Sequence, residues 1–229
     1  MVRHGWFAVR GVRTRGFGEP LDGHTAAVTD HSTDRFDGCI AGLGSPAGLR
    51  VVVGHWPSSP LGAFTDVMVE RPDGHRILLA PDDRVARFVA ATYTFDEVRC
   101  LPVTTTVAGN RWHVQAGPLD VAFTTGRRTP LGALLRAVPE RLATAPAWIT
   151  AIDVVAKRVL PGVRTRGSAG QGRREYYGAL DQHALTGARI TWEGVDQGGL
   201  AAVDPPVRFG FGSTPKTPSL VRVVTLVRA

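Results

Sequence analysis

The carboxylates near aromatic residues are the side chains of this sequence best suited to acid–base chemistry. Asp66 stands two positions after Phe64, in a segment that we expect to face a ligand cavity. Such a carboxylate can act as a base, as an acid or as a hydrogen-bond anchor for a ligand, and Phe64 is a candidate contact for the same ligand. The alternative role of Asp66 is to satisfy a turn or an arginine.

Glu70 follows Asp66 by four residues, and on a regular strand it lies on the same face. Two carboxylates that share a pocket disfavour each other's ionisation, which is a common device for acid–base chemistry. Glu70 is therefore a candidate ligand contact, and an exposed surface position is the alternative.

A second cluster of candidate residues lies between Arg164 and His183. If the chain is partly extended there, Glu175 and Tyr177 share one face of a strand, and Asp181 and His183 also share one. An aspartate that orients an imidazole is a general-base arrangement, so His183 is the second acid–base candidate. Tyr177 is a candidate ligand contact. The alternative for the Asp–His pair is a chance neighbourhood on an exposed strand.

The same cluster is rich in glycine and arginine, which are typical of anion sites. Gly167, Gly170 and Gly172 would let backbone amides approach an anion, and Arg174 would supply positive charge. The glycine spacing differs from the dinucleotide-binding fingerprint, and no parallel strand–turn–helix unit frames it. We retain Arg174 as a candidate anion anchor and treat a phosphate site as the weaker interpretation.

The residue types present exclude several other chemistries. Lys157 and Lys216 are the only lysines, and arginine stays protonated, so imine chemistry would need one of these two side chains or the amino terminus. Cys39 and Cys100 form no CxxC pair, and the histidines show no HExxH or HxxxH spacing. The sequence therefore predicts no metal and no cofactor.

The chain carries a net charge of +7, which raises the question of a nucleic-acid partner. No run of five or six basic residues occurs, and acidic residues interrupt most of the basic ones, so the pattern argues against one. Apolar runs never reach the roughly 18 residues that cross a bilayer, and the first residues lack the apolar segment of a signal peptide. We expect a cytoplasmic protein with a small-molecule ligand and no membrane contact; a homo-oligomer is left open.

Several segments predict the elements that must position these residues. Residues 1–45 hold no period for long and are expected to form an irregular N-terminal segment before a single domain at 46–229. Strands are predicted from the β-rich runs LRVVVGHW, AFTDVMVE, RILLAP, VRCLPVTTTVA and RWHVQAGPLDVAFTT, with a hairpin turn at Gly109-Asn110. A short helix follows Pro81, behind a capping aspartate.

The second half of the chain predicts a helical insertion and then further strands. Thr129 and Pro130 supply a helix cap and a first-turn proline, and Pro139 should split this helix from a second one that starts near Ala147. From about residue 163 we expect short strands and turns. The fold class is α+β: a mostly antiparallel curved β-sheet or β-barrel with a helical insertion.

The segment SPLGAFTD, Ser59 to Asp66, resembles the glycine–aromatic–carboxylate stretch of acetoacetate decarboxylases. In this sequence Gly62, Phe64 and Asp66 fill the corresponding places. The order of the following segments is similar as well, over about residues 50–126. The resemblance implies a β-barrel or double-cone fold with a buried lysine that forms a Schiff base with a β-keto acid.

In this sequence the segment that resembles the lysine stretch is TFDEVRC, and Val98 or Arg99 stands where the nucleophile is expected. An aliphatic side chain has no nucleophile, and a guanidinium is protonated at physiological pH, so the resemblance carries over the scaffold and not the decarboxylation. Arg99 becomes a second candidate anion anchor.

Three functional hypotheses follow. The first is a small-molecule-binding protein or enzyme of acetoacetate decarboxylase-like fold that acts on a keto acid or another carboxylate ligand without lysine Schiff-base chemistry. The second is a noncatalytic lipid- or metabolite-binding barrel. The third is an anion- or nucleic-acid-binding module driven by the positive charge. Its affinity for the anion would fall as the salt concentration rises. The residues leave open whether the protein is an enzyme.

Overall fold

Antiparallel pairing of strands organises most of the chain that the structure describes. The computed structural model describes residues 33–159, 166–168, 174–210 and 214–228, and within them the chain forms twelve strands and four helices. The strands of the first half are β1 (Thr33–Gly44), β2 (Arg50–Ser58), β3 (Phe64–Glu70), β4 (Arg76–Ala80), β5 (Glu97–Cys100), β6 (Val103–Ala108), β7 (Arg111–Ala116) and β8 (Leu119–Arg128). The later strands are β9 (Arg166–Ser168), β10 (Arg174–Trp192), β11 (Val195–Gly199) and β12 (Ser219–Arg228). The helices are α1 (Asp83–Ala90), α2 (Pro130–Ala137), α3 (Glu140–Ala143) and α4 (Pro146–Val159).

The described strands form one sheet in the order β5-β4-β3-β2-β1-β12-β10-β8-β7-β6. Every neighbouring pair is antiparallel except β4 and β5, which are parallel. The first half of β10 also pairs with β9 and its second half with β11. The predicted α+β class with a mostly antiparallel curved sheet is confirmed.

The sheet curls until its two ends approach each other as a half-barrel. Thr105 of β6 donates a hydrogen bond from its hydroxyl to the Thr65 hydroxyl of β3 at 2.9 Å. The His55 and Trp112 rings meet edge to face at 5.4 Å, which joins β2 to β7. Register shifts between β1 and β2 and along β10 add local twist, because a bulge bends the strand that carries it.

The two faces of the sheet bury different clusters, because side chains alternate along each strand. The inside of the curl is filled by a large apolar core from β1–β4, β7, β8 and the second half of β10. In β2, Val51 and Val53 belong to that core, whereas Val52 and Gly54 point to the opposite face. The opposite face is covered by α1 and by residues 203–210, through apolar clusters that include Phe88 and Phe209.

The local signals for helices and turns predict their positions well. Asp82 caps α1 by accepting hydrogen bonds from the backbone amides of Arg84 and Val85. Thr129 caps α2, and α2 and α3 are separate helices on either side of Pro139. The β6–β7 hairpin turns at Gly109, whose φ of 62° suits glycine.

Two sequence-based expectations about strands were wrong in the described residues. Residues 33–44 were expected to be irregular, but they form β1, which pairs with β2 on one side and β12 on the other. This strand belongs to the compact unit 31–229. No local pattern reveals such a strand, because one of its partners lies at the far end of the chain. Residues 1–32 of the predicted irregular segment lie outside the described residues.

The second correction concerns the segment expected to form short strands and turns. β10 runs for 19 residues from Arg174 to Trp192. Gly178 lies inside it, where an added Cβ would meet the Ala143 carbonyl oxygen at 2.8 Å. This glycine therefore serves the close approach of α3 to the sheet and does not mark a turn. None of the described helices is long and apolar enough to span a membrane.

A buried ion cluster ties the covering segment 203–210 to the end of β3. The Glu70 carboxylate, 0% exposed, lies 3.4 Å from the Arg50 guanidinium, and it accepts hydrogen bonds from the Arg208 amide at 2.8 Å and the Arg208 guanidinium at 3.1 Å. Arg50 also donates to the carbonyl oxygens of Arg71 and Pro205. Because Glu70 contacts both arginines, it fixes the end of the segment that covers the sheet.

We expect Glu70→Gln to lower the free energy of unfolding by about 3 kcal/mol, because it leaves the buried Arg50 charge without its carboxylate. Asp73→Asn removes a carboxylate from a half-exposed pair with Arg71 and should change stability by less than about 1 kcal/mol. Urea unfolding of the two variants measures both values. Equal, small losses would contradict the anchoring role of Glu70.

Candidate functional site

A cavity of about 200 Å³ lies between the outer face of the sheet and its covering segments. Its floor comes from β1, β2, β3, β10 and β12, and its roof comes from α1, Tyr93 and residues 207–210. The lining is mainly apolar and aromatic: Phe36, Ile40, Val52, Trp56, Phe64, Met68, Phe88, Val89, Val207, Phe209, Val221, Val223 and Val227. The cavity is thus on the opposite side of the sheet from the core that fills the curl.

Asp66 brings a carboxyl group into this apolar surface. Its side chain is 2% exposed, and Oδ1 accepts a hydrogen bond from Trp56 Nε1 at 3.0 Å. Gly54 lies opposite Asp66 on β2, where an added Cβ would sit 2.6 Å from that same oxygen and 2.7 Å from the indole nitrogen. Glycine therefore leaves the space in which the indole reaches the carboxyl. The second oxygen, Oδ2, is buried and has no partner among the described residues.

Glu175 is the second carboxyl group of the cavity and is surrounded by two tyrosines. The Tyr93 hydroxyl lies 2.9 Å from one carboxyl oxygen and 3.0 Å from the other. The Tyr177 hydroxyl also hydrogen-bonds Glu175, and the two tyrosine hydroxyls contact each other. Glu175 and Tyr177 come from β10, whereas Tyr93 follows α1, so this cluster joins the floor of the cavity to its roof.

Burial changes the acidity of both carboxyl groups. It raises the pKa of Asp66 to about 7, against the opposing effect of the Trp56 hydrogen bond. It raises the pKa of Glu175 to about 7 as well, against the hydrogen bonds from Tyr93 and Tyr177. Burial, followed by the nearby Glu175 charge, also raises the pKa values of Tyr93 and Tyr177. Both carboxyl groups can therefore hold or release a proton near neutral pH.

The ionisable side chains of the described lining are all acidic. Among the described residues that line the cavity there is no lysine, arginine or histidine. The polar groups are the two carboxyls, the two tyrosines and several hydroxyls, of which the Thr225 Oγ1 atom is buried without a partner in the described chain. The described part of the lining offers hydrogen bonds to a ligand and no fixed positive charge.

The structure brings three of the sequence-predicted residues together. Asp66, Phe64 and Tyr177 all line the cavity, although they come from β3 and β10, which are separated in the sheet by three strands. A pocket shared by two carboxyl groups is also present, with Glu175 in the place considered for Glu70. Glu70 was expected either in this pocket or on the surface, and it is in neither position, because it is fully buried with Arg50.

The two predicted anion anchors lie outside the cavity. Arg99, on β5, forms an ion pair with Glu97 at 2.6 Å and lies over the Trp192 ring at 5.8 Å. Arg174 is exposed at the start of β10. Neither belongs to the cavity lining, because β5 is at one end of the sheet order and Arg174 points away from the buried face that holds Glu175.

His183 and Asp181 are neighbours, as their spacing suggested, but they form a surface network. The His183 Nε2 atom lies 3.6 Å from the Asp181 carboxylate, whose closer partner is the Arg128 guanidinium at 2.8 Å. The other imidazole nitrogen, Nδ1, hydrogen-bonds the Gly126 carbonyl oxygen at 3.0 Å. Neither residue lines the cavity, so the structure does not join His183 to Asp66.

Two cavity residues, Tyr93 and Glu175, were not among the predicted site residues. The alternation of Glu175 and Tyr177 on one strand face was visible in the sequence, and it was the available signal for Glu175. Tyr93 carried no such signal, since it meets Glu175 only through the packing of the chain after α1 on β10.

Neither lysine is among the described residues that line the cavity. Lys216 is 68% exposed and pairs with Asp204 at 2.8 Å. Lys157 lies in α4, and its side chain is outside the described residues. Val98, one of the two residues at the expected position of the nucleophile, is half-exposed on β5, away from the cavity.

Comparison of the folds finds acetoacetate decarboxylases. The enzyme from Legionella pneumophila matches with a TM-score of 0.40 and 9% identity, over 86% of this chain and 85% of that one. A second acetoacetate decarboxylase matches with a TM-score of 0.36 and 10% identity, over 86% and 85%. The chain is similar in fold to these two enzymes.

An AttH protein from Nitrosomonas europaea matches with a TM-score of 0.28 and 12% identity, over 94% of this chain and 56% of that one. No protein-family model matches the sequence, and no curated protein matches it either. The similarity therefore lies in the fold, and the chemistry of the cavity follows from its own residues.

We expect the folded protein to lose stability as the pH rises from about 4 to about 7. Asp66 and Glu175 keep protons in the folded state that the unfolded chain releases near pH 4, so the unfolded state binds fewer protons in this range. Each group contributes at most about 1.4 kcal/mol per pH unit. Asp66→Asn cannot titrate, so urea unfolding should show its stability, relative to the native sequence, rising between pH 5 and pH 8.

The matched control is Asp73→Asn, which replaces a carboxylate that is 55% exposed and pairs with Arg71. Because the arginine keeps its charge across this pH range, the difference between this variant and the native sequence should not change. A pH-independent difference for Asp66→Asn would contradict the raised pKa.

Proposed function

We propose that this protein binds a small, largely apolar carbonyl compound in the cavity, and that any reaction it catalyses is a proton transfer by buried carboxyl groups without a lysine imine. The observation that carries this proposal is the buried Asp66 Oδ2 atom, which has no protein partner among the described residues and belongs to a cavity-lining side chain. A buried polar atom without a partner is costly, and a ligand that hydrogen-bonds it recovers that cost.

The size and lining of the cavity support a small apolar ligand. Its volume of about 200 Å³ lies below the roughly 300–1,000 Å³ of sites for drug-sized molecules. Packed aromatic rings form much of the wall; the Phe36 ring lies 5.0 Å from that of Phe88 and 5.9 Å from that of Trp56. These rings favour a ligand with apolar faces.

The polar groups support a carbonyl oxygen as the recognised atom. With its pKa near 7, the Asp66 carboxyl is protonated in much of the neutral range and can donate a hydrogen bond. Since Oδ1 already accepts from Trp56, the free oxygen Oδ2 is the one that can carry this proton. A ketone oxygen, which only accepts hydrogen bonds, complements that donor.

A carboxylate on the ligand has less support. Arg99 and Arg174 lie elsewhere, and the described lining offers no cation to pair with a second negative charge. The keto group of the keto acid suggested by the sequence therefore suits the cavity better than the acid group does. Neutral ketones and esters are the preferred ligands within the same proposal.

The apolar lining also favours a second candidate function, a noncatalytic carrier of a lipid or metabolite. In this function Asp66 and Glu175 would orient the ligand without exchanging protons with it. Native mass spectrometry of the purified protein distinguishes the two functions in part, because a carrier should retain an apolar ligand that denaturation releases.

We expect methyl 4-oxopentanoate to bind at least tenfold more tightly at pH 6 than 4-oxopentanoate, because Asp66 keeps its proton at this pH and only the acid brings a negative charge, for which the described lining offers no cation. Ala179→Phe should reduce binding of the ester at least tenfold by filling the cavity that Ala179 lines. Chemical-shift titration by NMR measures both affinities.

Ala133→Phe is the matched control, since Ala133 is exposed on α2, and it should bind the ester as the native sequence does. Unchanged binding by Ala179→Phe would place the ligand outside the cavity. Equal or tighter binding of 4-oxopentanoate would contradict the preference for a neutral carbonyl compound.

We also expect borohydride to trap no covalent adduct. After incubation with methyl 4-oxopentanoate and borohydride, intact-protein mass spectrometry should show no mass increase, because no described lysine lines the cavity. An adduct that maps to Lys157 or Lys216 would show an imine and reject a mechanism based on carboxyl groups alone.

A further inference from the structure

The two carboxyl groups of the cavity differ in how many of their oxygens accept a hydrogen bond. Both Glu175 oxygens lie within hydrogen-bond distance of the Tyr93 hydroxyl, and Tyr177 also hydrogen-bonds this carboxyl, whereas the Oδ2 atom of Asp66 has no partner among the described residues. Hydrogen bonds to a carboxylate favour its ionised form. When one of the two groups is ionised, Glu175 is therefore that group, and Asp66 keeps its proton.

The remaining proton on Asp66 has a defined position. Oδ1 is the acceptor for the indole N–H, which leaves the buried Oδ2 atom of this cavity-lining side chain to carry the proton. An acid held in this way presents its proton to a ligand and is kept from turning by the Trp56 contact. This is the arrangement of a general acid.

The tyrosines give the ionised Glu175 a route to the ligand. Tyr93 is held between both carboxyl oxygens, so it positions Glu175. Tyr177 hydrogen-bonds Glu175, lines the cavity, and lies close enough to Asp66 that the Asp66 charge contributes to its electrostatics. A hydroxyl that passes its proton to a carboxylate can take another proton from a ligand in the same step.

We propose that the cavity enolises its carbonyl ligand, with Asp66 as the acid at the carbonyl oxygen and Glu175, through the Tyr177 hydroxyl, as the base at the adjacent carbon. This inference rests on the proposed function, and it names the substrate class as ketones that carry a hydrogen on the carbon beside the carbonyl. It also assigns roles to Glu175 and Tyr93, which no sequence pattern assigned.

The proton transfers balance without any further reactant. The Tyr177 oxygen takes the proton from the carbon beside the carbonyl as its own proton passes to Glu175. The electron pair of that C–H bond forms a C=C bond, the carbonyl π pair moves to the oxygen, and the oxygen takes the proton of Asp66. The products are an enol, ionised Asp66 and protonated Glu175. The reverse steps restore the ketone, and nothing is oxidised or reduced.

The inference predicts a bell-shaped dependence of the rate on pH, since Glu175 must be ionised while Asp66 is protonated. The titratable groups that line the cavity with them are Tyr93, after α1, and Tyr177, on β10. Glu175→Gln removes the group whose ionisation produces the rise on the acidic side.

Hydrogen–deuterium exchange tests the inference directly. Methyl 4-oxopentanoate is incubated with the full chain in D₂O, and NMR follows the loss of the hydrogens beside the ketone. The native sequence should accelerate this loss over buffer. Asp66→Asn and Tyr177→Phe should each slow the exchange about 100-fold or more, a typical loss for removal of a general acid or base, while binding changes only a few-fold. Tyr93→Phe should slow the exchange less. Asp120→Asn, which replaces a carboxylate that is 47% exposed on β8 and outside the cavity lining, should leave the exchange rate unchanged.

The outcomes separate this inference from the function on which it rests. Absence of ester binding rejects the proposed function and the inference with it. Binding without accelerated exchange in the native sequence rejects enolisation alone and leaves the binding function in place. Exchange at the native rate in Asp66→Asn, or a pH profile that Glu175→Gln leaves bell-shaped, rejects the assigned roles.

Discussion

The constraint on which this structure depends is that its central strands are apolar on both faces. A sheet of this kind must be covered twice, and the protein meets the two requirements differently. The sheet covers one face by curling on itself, with Val51, Val67 and Val121 in a filled core. The other face is covered by α1 and residues 203–210, which reach across the sheet without filling the space beneath them. The cavity is the consequence of that second, looser covering.

Two carboxyl groups in such a cavity would be unfavourable as charges, so their protonation becomes part of the structure. Asp66 and Glu175 have pKa values raised to about 7 by burial, and no described cation in the lining compensates them. Elsewhere the protein pairs its buried acid, as Glu70 with Arg50 and Arg208 shows. The contrast between the paired Glu70 and the unpaired oxygen of Asp66 is what singles out the cavity as the candidate functional site.

The two segments that resemble acetoacetate decarboxylases lie in different parts of the sheet. The glycine–aromatic–carboxylate segment brings Phe64 and Asp66 into the cavity. The segment that resembles the lysine stretch forms β5 at the end of the sheet, where Arg99 pairs with Glu97. A segment without an amine offers no imine formation, whereas carboxyl groups offer hydrogen bonding and proton transfer.

The sequence by itself determined the features that depend on near neighbours along the chain. Caps at Asp82 and Thr129, the break at Pro139 and the turn at Gly109 follow from local backbone preferences, and the strand runs follow from alternation and β-branched residues. The acid–base candidate Asp66 was recognisable from its own segment.

Only the tertiary structure decided which residues meet. Tyr93 reaches Glu175 across 82 positions of sequence, Glu70 finds Arg208 across 138, and β1 pairs with the last strand of the chain. The positions of His183 and Arg99 relative to the cavity depended on the same long-range packing. A local pattern determines which face of a strand a side chain occupies, but not what covers that face. Charge and burial at each site arise from that covering, and for this reason the cavity and its acidity could not be obtained from the residues alone.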